Sequence, residues 1–360
     1  MKRLVLCCDG TWNKPDTLAD GRPVPSNVVR LAYRVAKRDD SGVPQVLFYD
    51  MGVGTDNLSD HITGGVLGDG LEDNIHDAYR FLIGNYEPGD EIFLFGFSRG
   101  AFTVRSIGGM IRKCGILRRG AVEQYVMAKE LYHSGTRPDD AKAVAFRQQY
   151  SLSPDAPIPI KFIGVWDTVG SLGIPKNGGE APKYQFHDTE LSRTVENACH
   201  ALAIDEHRAP FQPSLWSYIP KPSQKVEQVW FCGAHSDVGG GYASLADKKK
   251  NASNIPLQWM LGKAASAGLK LDDEAMAELP IAEYPDTALH DSMTWYCRLK
   301  GRVDRAIGLT TAANGTPPQA DPTQAVHESV LRRWDNDRNY RPSNLREYFQ
   351  RTGDPRGSLP

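Results

Sequence analysis

A serine hydroxyl becomes a useful nucleophile only when a nearby base takes its proton and a carboxylate orients that base. Three residues of this 360-residue chain offer those roles in the required chain order. Ser98 lies in Gly96-Phe97-Ser98-Arg99-Gly100, between an apolar strand pattern at Ile92 to Phe95 and a helical pattern in which Val104, Ile107, Met110 and Ile111 share a face. A strained strand-to-helix turn demands small residues two before and two after the serine, and Gly96 and Gly100 meet that demand, with Ala101 extending it. Asp167 closes a later strand pattern in Gly164-Val165-Trp166-Asp167-Thr168, and His235 follows another in Cys232-Gly233-Ala234-His235. Serine, acid, histidine is the order of an elbow hydrolase. Alternatives stay open: Ser98 as an idle helix start, Asp167 as a turn cap with Thr168, and Asp237 as a rival acid that otherwise holds the glycine-rich loop. His200 and His207 compete with His235, but both read as lying in a helical pattern rather than at a strand end.

The oxyanion of an acyl-transfer intermediate needs backbone or side-chain donors. One is expected from the N–H of Arg99, the residue after the nucleophile, and the other from the early strand-to-helix loop at Gly10 or Thr11. Asp9 is read as making an Asx-turn, because no second carboxylate or histidine stands at ligand spacing around it. The chemistry therefore needs no metal and no cofactor.

These residues require a scaffold that brings several strand ends to one edge. β-rich runs at Leu4 to Cys8, Val46 to Tyr49, Ile92 to Phe95, Ile160 to Trp166 and Val226 to Cys232 alternate with helical patterns. The stripe Ile75, Ala78, Tyr79, Leu82, Ile83, ending near Pro88-Gly89, is one such helix. The pattern predicts an α/β fold, an α/β-hydrolase-like and mainly parallel sheet with helices on both faces, strand order 2-1-3-4-5, and the site outside the carboxyl ends of strands 1 and 3. One domain over 1–360 is expected, with a C-terminal extension at 285–360 packed on the core. Residues 116–157, helical from Gln124 to Tyr150, read either as an insertion over the site or as an ordinary crossover. Thr311 to Thr323 reads as a loop, Val326 to Trp334 as a short helix, and Lys248-Lys249-Lys250 as an exposed loop before a helix from Pro256 to Ala265.

Composition removes other classes. Forty-two basic and 44 acidic residues mix along the chain for a net charge of −2, so there is no electrostatic footprint for nucleic acid. No stretch approaches the roughly 18 apolar residues that cross a bilayer. The N-terminal apolar run is too short for a signal peptide and ends in Asp9, which predicts cytoplasmic synthesis. Six cysteines without a C-x-x-C pair read as buried free thiols.

Together, Asp9-Gly10-Thr11 with Asn13, the Gly96 to Ala101 elbow, Val165 to Gly170 and His235 to Tyr242 resemble a largely uncharacterised α/β-hydrolase family that includes type VI secretion phospholipase effectors. Weaker similar blocks are His200 to Trp216 and His327 to Val330 with Tyr340, Pro342 and Leu345, so the resemblance spans nearly the whole chain. It implies Ser98, Asp167 and His235 as the triad, and that some relatives cleave phospholipid acyl esters; a lipid or ester substrate is expected, with peripheral membrane contact and export by a specialised secretion system left open. It names no immunity or secretion partner. Two further functions remain in view: an esterase or acyl transferase for soluble substrates, and a noncatalytic binding protein on a hydrolase fold.

Overall fold

The computed structural model describes residues 1–10, 13–19, 21–52, 66–169, 191–217, 223–243, 251–278, 287–293, 301–311 and 317–358. Its frame is a seven-stranded sheet in the order β4-β1-β5-β6-β7-β8-β9, in which every pairing is parallel. The strands are β1 (Arg3–Cys8), β4 (Gln45–Asp50), β5 (Glu91–Phe97), β6 (Ile160–Trp166), β7 (Val195–Ala203), β8 (Lys225–Phe231) and β9 (Gln324–Val326). An antiparallel pair of two-residue strands, β2 (Leu18–Ala19) and β3 (Arg22–Pro23), lies outside it.

Strand β1 is buried from end to end, as a strand covered on both faces must be, and its side chains alternate between two cores. Leu4 and Leu6, with Ile92 and Leu94 of β5, pack against Leu71, Ile75, Tyr79 and Leu82 of α2 (Val66–Asn85) and Val104, Ile107 and Ile111 of α3 (Arg99–Cys114). Val5 and Cys7, with Phe93 and Phe95, face Val28 and Leu31 of α1 (Asn27–Ala32) and Leu257, Met260 and Leu261 of α7 (Asn254–Ser266). The helices α4 (Tyr125–His133) and α5 (Ala141–Tyr150) divide the stretch read as helical from Gln124 to Tyr150, and they bury Ala128, Leu131, Ala143 and Phe146 in the α2/α3 layer. A third core joins Leu202 and Trp230 to Val330 and Trp334 of α8 (Glu328–Asn336) and Leu345 and Phe349 of α9 (Ser343–Thr352).

The five expected strands keep their expected relative order, but β7 enters between the fourth and fifth, and β9 adds an edge. His200 is therefore a strand residue, not a helical one. The misreading has a physical cause. Val195–Ala203 is rich in alanine with few β-branched residues, and a strand buried on both faces loses the alternation that distinguishes it from a helix. The five described cysteines are free thiols, four of them buried, whereas Cys297 and the Lys248 to Lys250 loop lie outside the described residues. Among the described residues no helix is long and apolar enough to cross a membrane.

Candidate active site

Strands β1, β5 and β6 end side by side, which brings their next residues together. After β5 the chain reverses at Ser98, whose φ of 56° and ψ of −117° place it in a conformation that side chains rarely adopt. Its N–H donates to Trp166 O at 3.1 Å, so the turn is tied to the residue before Asp167. The flanking glycines are required by contact. A Cβ on Gly96 would lie 2.4 Å from Gly100 O, and one on Gly100 only 2.1 Å from Cys8 O. Arg99 is the first residue of α3, so its N–H belongs to the set without an intrahelical acceptor, at the positive end of the helix dipole.

Asp167 also has positive φ, 39°, and is fully buried. His235, the first residue of α6 (His235–Gly239), places Nδ1 2.6 Å from Asp167 Oδ2. The other carboxylate oxygen, Oδ1, accepts from Ala203 N at 3.0 Å, and the Arg305 guanidinium spans both oxygens, at 2.6 Å to Oδ1 and 3.0 Å to Oδ2. Burial pushes the Asp167 carboxyl up, but Arg305 and His235 outweigh it and hold the group well below the usual carboxylate range. The imidazole is clamped by Phe97 at 4.6 Å and edge-on by Phe211 at 5.1 Å, and its backbone N–H donates to Glu206 Oε2 at 3.3 Å. With an ionised carboxylate on Nδ1, the proton belongs on Nδ1 and the lone pair on Nε2. Among the described residues no hydrogen bond joins Ser98 Oγ to His235.

The rival residues have other work. Asp237 accepts from Ala234 N and His290 N, each at 3.0 Å, and from His290 Nδ1 at 2.7 Å. A cleft of about 480 Å³, lined in part by Asp205, His207, Met293 and Arg302, touches this arrangement only through His290. His200 Nε2 accepts the Thr168 N–H at 3.1 Å, and burial with the nearby Arg105 charge pushes its pKa down to about 3. His207 pairs with Asp304 at 2.8 Å.

Asp9 accepts three hydrogen bonds, from Gly10 N at 2.7 Å, Ser26 Oγ at 2.7 Å and Tyr49 Oη at 2.8 Å, and burial raises it to about 6 despite them. The Gly10 N–H is thereby already engaged, and Thr11 lies outside the described residues. The Asn13 amide lies at the same corner: Nδ2 and the Ser98 Cβ lie 2.8 and 3.3 Å from the point where a Gly10 side chain would begin. Glu72, His76 and His133 cluster elsewhere, between α2 and α4, but the Lys129 ammonium sits 2.7 Å from Glu72 Oε1 and supplies that carboxylate's counter-charge. Sequence reasoning did not single out Arg305, Glu206 or Asn13 for a role. Only Asn13, an amide in the loop after the first strand, carried a local signal.

The family model described as T6SS, phospholipase effector Tle1-like, catalytic domain matches residues 2–263. The chain belongs to this Tle1-like family. Its match includes Ser98, Asp167 and His235 and stops before Arg305. A relative in Saccharomyces cerevisiae, the uncharacterized protein YEL023C, is 31% identical over 244 residues, which is 61% of this chain and 34% of that protein. The chain thus matches about a third of that relative's length. Two solved structures are also similar. One is an uncharacterized protein from Pseudomonas aeruginosa, at 19% identity and TM-score 0.49, covering 78% of this chain and 49% of that one. The other is the Tle1 effector bound to the VgrG spike of the type VI secretion system, at 16% identity and TM-score 0.47, covering 78% of this chain and 76% of that one.

Proposed function

We propose that this Tle1-like domain hydrolyses carboxylic esters of lipids, phospholipids foremost, through an acyl-enzyme on Ser98. His235 Nε2 takes the hydroxyl proton as Oγ attacks the acyl carbonyl. The oxyanion is received by the Arg99 N–H and the Asn13 amide, the latter in place of the Gly10 N–H that Asp9 already engages. Collapse expels the alcohol with the proton from His235, and a water activated by the same imidazole releases the fatty acid. Asp167 holds the productive tautomer and stabilises the imidazolium. One observation carries this reading: a buried 2.6 Å carboxylate–imidazole pair at the sheet edge where Ser98 makes its positive-φ turn. Family membership supports the lipid substrate, peripheral contact with a membrane, and delivery by a specialised secretion system.

The test is intact mass after incubation with a fluorophosphonate, followed by release of fatty acid from phospholipid vesicles, for wild type, Ser98→Ala and His235→Ala. One adduct lost in both variants, with fatty acid released only by wild type, is the expected result. Turnover of monomeric esters that does not rise on vesicles would move the assignment to an esterase or acyl transferase for soluble substrates. A folded wild type without adduct or turnover would leave a noncatalytic binding protein.

A further inference from the structure

Arg305 has no solvent exposure on its side chain, nor has Asp167, and their guanidinium–carboxylate pairing is the planar fork that arginine alone provides. The same guanidinium donates to Ala203 O at 2.8 Å and to Phe211 O. It therefore ties three things together: the carboxylate at the end of β6, the end of β7, and the segment whose Phe211 ring rests on His235. Removing one member of such a buried pair leaves the other charge uncompensated, so the carboxylate's position depends on the guanidinium. Arg305 lies beyond residues 2–263, so the residue closing this arrangement comes from the C-terminal part of the chain.

We propose that Arg305 is a positioning residue of the hydrolytic site, fixing both oxygens of Asp167 and limiting how basic Asp167 makes His235. This rests on the reading of Ser98, Asp167 and His235 as the reacting set. A lone carboxylate on Nδ1 favours the imidazolium, and a cation on the far side of that carboxylate opposes it. Removing that cation should therefore move the acidic limb of activity to higher pH. The other groups facing His235 leave this balance to Arg305. Glu206, at its backbone N–H, is paired with Arg208 at 2.8 Å. Asp237 on the same helix is paired with His290, and the His200 imidazole behind Asp167 is neutral. Arg99 beside Ser98 is a further cation, common to every variant below, and Phe97 and Phe211 do not titrate.

The experiment is the pH profile of kcat/KM on a soluble p-nitrophenyl ester for wild type, Arg305→Gln and Arg305→Lys, with thermal melts on each. Arg305→Gln loses the charge, and its acidic limb is expected about 1 pH unit higher than wild type. Arg305→Lys keeps the charge without the fork, so its acidic limb should coincide with wild type while kcat falls about tenfold. A folded Arg305→Gln with the wild-type profile overturns the proposal. If the glutamine variant does not fold, Arg305→Lys decides, and wild-type kcat in that variant overturns it. Failure of the underlying assignment looks different: wild type itself would then show no Ser98-dependent turnover.

Discussion

Adding one methyl group at Gly100 should disable this site without touching a reacting atom. A Cβ there would stand 2.1 Å from Cys8 O and 2.5 Å from Asp9 O, whereas real Cβ atoms keep at least 3.0 Å. The gap must open by about 0.9 Å at minimum. Strand β1 cannot yield, because it is fully buried and hydrogen-bonded to β4 on one side and β5 on the other. The movement therefore falls on the first turn of α3, which carries Ser98 and the Arg99 N–H. Overpacking of this kind costs about 1–3 kcal/mol, and a displacement near 1 Å at reacting groups costs roughly 100-fold in rate. Gly108→Ala in the same helix is the control. Its Cβ would meet only the Cδ1 tips of Ile163 and Ile160, at 3.4 and 3.5 Å, and it gains up to about 1 kcal/mol of helix propensity. Ester hydrolysis, fluorophosphonate labelling rate and thermal melting should report a slow, destabilised Gly100→Ala beside an active Gly108→Ala. A Gly100→Ala protein with wild-type melting and activity within twofold would refute the argument that the position of Ser98, the proposed nucleophile, is set by this backbone contact.

Asn13→Ala should lower kcat about 100-fold with little change in KM, the signature of a donor used in the transition state, and an unchanged kcat would return the second oxyanion contact to the backbone. Asp50 is a half-buried carboxyl pushed up to about 7 by burial and by Asp77 and Asp9, and its Oδ2 has no hydrogen-bond partner among the described residues. Its folded pKa lies above its unfolded value near 3.8, so its ionisation costs stability increasingly as pH rises from about 4 to 7. Asp50→Asn should accordingly be neutral near pH 4 and stabilise at pH 8 by on the order of 2 kcal/mol, after discounting for partial solvent screening. Denaturant melts at both pH values check this, and a stabilisation independent of pH would contradict it.

Local rules were enough to find the elbow, because its constraints are sequence-adjacent: an apolar strand, two glycines at the crossing and a helical stripe fall within about 20 residues. The placement of Asp167 and His235 was legible for the same reason, since Asp167 directly follows one apolar run and His235 stands in the short turn after another. Strand β7 was not, because burial on both faces erases periodicity and its alanines suit either state. Pairing along β6 and β8 decided the matter.

By itself, then, the order of residues determined the sheet class, the relative order of five strands and the residues standing at their ends, all consequences of short-range pattern and steric need. Only the tertiary structure decided which partners those residues keep. Asp167 belongs to His235 and Asp237 to His290, the Gly10 N–H is taken by Asp9, and Arg305 reaches Asp167 across 138 positions of chain. Buried polar groups must find partners wherever the packed chain supplies them, and nothing local in the sequence marks an arginine 138 residues away as that partner.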